Sequence, residues 1–118
     1  MSKKSDLIFI EHMLESIMAI EDFSKGLTKE KLISSRLKQS ALVREIEIIG
    51  EAVKNISNSL KEKYRDIAWK EIVGTRDKMI HHYFGVDLDI VLGIIKHDIP
   101  VLKKQVLKIK EGLKKIKD

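Results

Sequence analysis

The sequence predicts an all-α protein, an antiparallel four- to five-helix bundle, and three observations carry that expectation. Apolar residues recur at three- and four-residue steps, no stretch shows convincing strand alternation, and capping residues and glycines punctuate the periodic segments. A chain of 118 residues is also one domain's length, long enough for a modest core and short enough that a partner subunit could complete it. No repeat, low-complexity linker or second composition regime divides it, so a single domain over 1–118 is expected.

Leu7, Ile10, Leu14 and Ile17 form an apolar stripe, with Glu11, Glu15 and Asp22 elsewhere on the wheel; the pattern predicts a first helix from about Asp6 to Phe23, ended by Gly26. Thr28 is placed to cap a longer second helix that runs to about Ser57, where Asn55-Ile56-Ser57-Asn58-Ser59 supplies a stop. A third helix is expected from near Ala68 to Phe84. Gly85 then breaks the chain, and Asp87 caps a fourth helix toward Lys115, kinked but not stopped at Pro100.

Composition narrows the setting. There is no cysteine, which excludes a disulfide framework or a thiolate metal site and fits a reducing cytoplasm. The first apolar run is interrupted by Glu11, His12 and Glu15 before it could serve as a signal or membrane segment. Twenty-three Lys and Arg against eighteen Asp and Glu give a formal charge of +5, which favours polyanionic partners without demanding them. Seven of the lysines fall between Lys103 and Lys117, where a charge run most often marks a solvated helix face.

The second helix carries two apolar faces. A broad arc holds Leu42, Val43, Ile46, Ile49, Val53 and Ile56, and a smaller one holds Leu37, Ala41, Ile48 and Ala52. Such a helix is central in its bundle or shared with another subunit, and in so short a chain a homodimer is expected. Gly50 lies within the main arc, where a missing side chain permits close helix approach despite a propensity loss of ~1 kcal/mol.

The third helix breaks its own pattern. Placed at 100° per residue, Ala68, Met79, Ile72, Tyr83, Arg76, Trp69, Ile80, Val73 and Phe84 share one arc, with Arg76 at its centre. A guanidinium does not lose its charge and is rarely buried unpaired, so Arg76 needs a local partner, for which Glu47 or Glu51 on the second helix are candidates, or a polar cavity at a subunit boundary. Asp77 stands four residues before His81, a helical spacing at which the carboxylate would orient the imidazole and raise its pKa. His82 falls on the opposite, solvent-facing side. No histidine pair has the i, i+4 spacing of a helical zinc site, and a phosphate-binding loop, a serine elbow and a dinucleotide fingerprint are all missing, so an enzyme of this sequence is expected to need neither metal nor cofactor.

The run Arg76-Asp77-x-x-x-His81-x-Tyr83 resembles the signature of the HEPN superfamily, and the tyrosine two residues after the histidine resembles its HepT-like toxins. Ile49-Gly50-Glu51-Ala52, Trp69-x-x-Ile72-x-Gly74 and Asp98-Ile99-Pro100 are similar to further segments of that family, in the same order, so the likeness spans about Ala41 to Val106. The resemblance implies a homodimeric toxin ribonuclease in which two motifs face each other across a cleft. It also implies an antitoxin, a minimal nucleotidyltransferase that transfers AMP from ATP to the motif's tyrosine. Carried over, Arg76 and His81 would be catalytic, Asp77 and Glu51 supporting, and Tyr83 the modification site. Thr75 stands where the family often has Met, and Asp77 where many members have Asn; a carboxylate near the scissile phosphate is less welcome than an amide. The alternatives are a non-catalytic module that binds a nucleotide or the nucleotidyltransferase, and a purely structural helical dimer.

Overall fold

The computed structural model describes residues 3–81 and 85–117 of the chain. It is an all-α helical bundle organised around one helix, α3 (Arg36–Lys54). The main apolar arc of α3 is inside as its period predicts: Leu42, Val43, Ile46, Ile49 and Val53, with Ile56 just past the helix end, are between 0% and 8% exposed. Each such side chain contributes about 1.5–3 kcal/mol by leaving water, so this face alone commits the helix to the centre. Against it lies α1 (Lys3–Phe23), which buries Ile10, Met13, Ile17 and Ile20.

The chain after α1 turns at Gly26, whose φ of 65° belongs to the left-handed region that glycine tolerates. Thr28 caps as expected, accepting the Lys31 N–H at 3.2 Å, but the helix it opens is short: α2 (Lys29–Ile33) stops, and α3 begins anew behind Ser35, whose hydroxyl accepts the Lys38 N–H at 3.1 Å. The single second helix expected from Thr28 to Ser57 is therefore two helices. Paired serines at 34 and 35 compete with the helical backbone for its hydrogen bonds, which favours a break there. Gln39 closes the corner by donating to the Leu32 carbonyl at 2.9 Å, and Lys38 donates to the Phe23 carbonyl at the end of α1 at 2.7 Å.

Asn55 ends α3 where a stop was expected. An additional helix follows at once, α4 (Asn58–Lys63), capped by Ser57. Its start is tied to α1 by Asp6, a carboxylate only 3% exposed that accepts from both the Ser57 N–H at 2.8 Å and the Ser57 hydroxyl at 2.6 Å. Then come α5 (Trp69–Val73), α6 (Thr75–Met79) and an antiparallel pair of two-residue strands, β1 (Ile80–His81) and β2 (Gly85–Val86), in register Ile80 with Val86 and His81 with Gly85. The continuous helix expected from Ala68 to Phe84 is corrected here, while the all-α class stands, since the ribbon is only two residues on each side.

Asp87 caps the next helix as predicted, α7 (Leu88–Gly93), accepting the Ile90 N–H at 3.1 Å. Lys29 meets Asp89 at 2.9 Å and ties α2 to α7; that hydrogen bond, reinforced by Asp89's charge, holds the lysine above its ordinary pKa. A π-helical turn, Ile94–Asp98, joins α7 to α8 (Ile99–Lys117), which continues through Pro100. A proline ring crowds the carbonyl four residues earlier, here Lys96, and the wider π turn gives that carbonyl more room. α8 packs on α1 through a stripe that includes Leu102, Val106, Ile109 and Leu113, and Lys103 bonds Glu21 across the seam at 2.9 Å.

Two stability outcomes follow from these contacts. Asp6→Ala removes the buried carboxylate that accepts both Ser57 donors at the half-buried start of α4 and lowers stability by about 1–3 kcal/mol in urea melts. Gly50→Ala does the opposite: a Cβ there would sit 3.6 Å from the Ile72 carbonyl oxygen, an ordinary contact. Relief of the helix-propensity penalty then raises stability by up to about 1 kcal/mol in the same melts.

Candidate functional site

The segment from Trp69 to Val86 is built on α3. Trp69 is pinned at the start of α5 by its indole N–H, which donates to the Tyr64 carbonyl at 3.1 Å, and the last turn of α5 rests on Gly50. The close approach expected at that glycine is present: the Ile72 and Val73 carbonyls lie 3.6 and 3.9 Å from where its Cβ would be. Gly74, a poor helix former, separates α5 from α6. That break resets the helical phase, so a wheel drawn continuously from residue 68 to 84 misplaces whatever follows it.

Arg76 is the residue most affected. It is not at the centre of a buried face, for its side chain is 60% exposed. Its Nε donates to Glu47 Oε2 at 2.6 Å, and the glutamate is only 23% exposed on the flank of α3. Of the two carboxylates that the sequence offered as partners, Glu47 is the one engaged. Glu51, one turn further on, lies exposed and meets Lys54 at 3.4 Å.

The helix that should have carried Asp77 and His81 on one flank ends at Met79. Ile80 is already extended at φ −107°, ψ 118°, as suits a β-branched residue, and the Asp87 N–H closes the ribbon on the Met79 carbonyl at 2.7 Å. The i, i+4 relation between Asp77 and His81 therefore does not hold, and Asp77 is exposed. His81 falls on β1, paired through the backbone with Gly85. Tyr83, with His82 and Phe84, lies outside the described residues. The helical spacing used to set Tyr83 on Arg76's face does not extend past Met79.

A groove of about 660 Å³ opens beside α6, floored by Ile46 and Ile49 and bounded by Thr75, Lys78, Ile94 and His97. Neither Arg76 nor Glu47 lines it. Size favours the groove, whereas the exposed guanidinium, a group whose fork of donors matches an oxyanion, stands outside it at Arg76. Among the described residues no group of three His, Cys, Asp or Glu side chains comes together to hold a metal ion.

The model of the family described as ribonuclease HepT-like matches residues 13–109. The chain belongs to the ribonuclease HepT-like family. The matched span contains α3 and the whole run from Arg76 to Tyr83. Among curated proteins, a Methanocaldococcus jannaschii protein named "Gamma-glutamylcyclotransferase and putative RNase MJ0434" is 46% identical over 116 residues, 98% of this chain but 52% of that protein. The chain thus spans about half the length of that relative. Two others are matched almost end to end: "Putative RNase MJ1380" of the same organism, 39% identical over 90% of this chain and 97% of its own, and "Probable ribonuclease HepT" of Thermococcus cleftensis, 39% identical over 92% and 99%. No solved structure matches.

For this HepT-like chain the exposure of Arg76 decides its structural role. An exposed ion pair contributes about 0–1 kcal/mol. Arg76→Ala is therefore expected to shift the thermal unfolding free energy by less than about 1 kcal/mol. A loss of about 3–5 kcal/mol, the cost of breaking a buried pair, would identify a purely structural arginine.

Proposed function

We propose that this protein is the toxin of a toxin-antitoxin pair, a metal-independent RNA endonuclease that uses Arg76 and His81 at a cleft between two copies of the chain. The observation that carries the reading is Arg76: in a ribonuclease-family chain, a permanently charged guanidinium is held at the surface by a carboxylate from the core helix. An arginine so placed is available to pair a phosphate bidentately.

RNA brings its own nucleophile. The 2′-oxygen attacks the adjacent phosphorus, a base takes its proton, the bond to the 5′-oxygen breaks, and an acid protonates that leaving oxygen; the products end in a 2′,3′-cyclic phosphate and a 5′-hydroxyl. Arg76 stabilises the added negative charge on phosphorus in the crowded intermediate. Two histidines serve as base and acid, which one copy of His81 cannot do at once and a pair across a two-fold axis can.

The outer face of α3 supports that pairing. Leu37 is 80% exposed, and Ala41 and Ile48, on the same side, are half-buried. Ala52, expected in the same arc, is instead in the core, so the face offered to a partner is narrower than the sequence suggests. Control of the toxin is assigned to a cognate nucleotidyltransferase. The Tyr83 oxygen attacks the α-phosphorus of ATP, pyrophosphate leaves, and the attached AMP brings a competing phosphate to the motif. Among the described residues no helix is long and apolar enough to cross a membrane. A cysteine-free chain acting on RNA suits the cytoplasm.

Purified protein incubated with RNA in the presence of a chelator is expected to yield fragments ending in a 2′,3′-cyclic phosphate. His81→Ala abolishes them, and Arg76→Ala slows their formation by about 100-fold. Undiminished cleavage by the His81 variant would contradict the mechanism. Co-expression with the nucleotidyltransferase should add AMP to the peptide containing Tyr83, as read by mass spectrometry.

A further inference from the structure

Glu47 is an odd neighbour for a phosphate-binding arginine. A carboxylate beside the site repels the phosphate that Arg76 awaits, and an ion pair whose arginine is mostly exposed does little for stability. What the pair does do is restrict the arginine. Arg76 sits on α6, five residues long, between Gly74 and the β1–β2 ribbon, whereas Glu47 belongs to the nineteen-residue α3 whose other face is the core. The bond joins residues 29 apart in sequence, so it ties the light element to the heavy one.

The contact is made through Nε at 2.6 Å. A guanidinium tethered at Nε is held in place by the carboxylate, and its terminal Nη1 and Nη2 groups remain donors that match two phosphate oxygens. Long arginine side chains lose much rotamer freedom on binding, and an arginine already held in place loses less. We propose that Glu47 is a positioning residue, which fixes the guanidinium of Arg76 for the scissile phosphate before RNA arrives. This rests on the ribonuclease reading of Arg76. Glu51, bonded to Lys54, is not assigned this task.

The test compares Glu47→Ala, Glu47→Gln, Arg76→Ala and the double variant Glu47→Ala/Arg76→Ala, cleaving one labelled RNA oligonucleotide in chelator. Glu47→Ala is expected to lower kcat/KM by about 10- to 100-fold, the scale of loss when a catalytic group is misplaced by an ångström. Glu47→Gln, which keeps a side-chain oxygen for Nε, recovers activity to within about fivefold of the parent. In the Arg76→Ala background, removal of Glu47 has no further effect, because there is no longer an arginine to orient. A purely structural glutamate would cost the same in both backgrounds. Parent-like or faster cleavage by Glu47→Ala would overturn the proposal and mark the carboxylate as a competitor for Arg76. A parent protein that cleaves no RNA would instead overturn the ribonuclease reading itself, and the positioning role with it.

Discussion

The burial of one face of α3 is the constraint on which the rest of the molecule depends. Leu42, Val43, Ile46, Ile49 and Val53 bury this face in a core to which α1 contributes, and the elements that follow are laid on what remains of the helix. Gly50 admits the end of α5, Glu47 takes the Nε–H of Arg76, and the face carrying Leu37, Ala41 and Ile48 is left open. A shift of α3 by one residue would rotate Glu47 away from Arg76 as surely as it would pull Ile46 from the core. Site geometry and fold stability therefore share one helix.

That economy has an electrostatic side. Arg76 is worth little as a structural ion pair because water screens it, and that same exposure leaves its charge accessible to an incoming phosphate. A fully buried arginine would have stabilised or destabilised the fold and been unavailable for chemistry. Glu47, mostly shielded on α3, keeps the accessible charge from wandering. The proposed pairing across the open face of α3 would bring two such arginines together, a like-charge arrangement that favours a polyanion between them.

Much of this was legible in the residues, and the failures have a common cause. The α3 arc reads clearly because an uninterrupted period over five turns fixes one face, and Thr28 and Asp87 read as caps because capping is local. Ser57 reads as part of a stop, because its firmest partner, Asp6, is 51 residues away. The segment around Arg76 defeats a helical wheel because α5 and α6 have five residues each, too few to show a period, and Gly74 shifts the phase between them. Glu47 and Glu51 share one edge of α3, so the sequence could narrow Arg76's partner to that pair; the seating of α5 and α6 on α3 decides between them.

The central claim is that each chain carries half of a composite site, and a mixing experiment tests it most directly. Parent protein and an equal amount of His81→Ala are unfolded together and refolded so that subunits reassort at random, and RNA cleavage is compared with that of undiluted parent. If both copies of His81 are needed, only parent–parent pairs work and the rate falls to about a quarter. A rate of about one half would mean that each chain cleaves with its own motif alone, and would contradict the account.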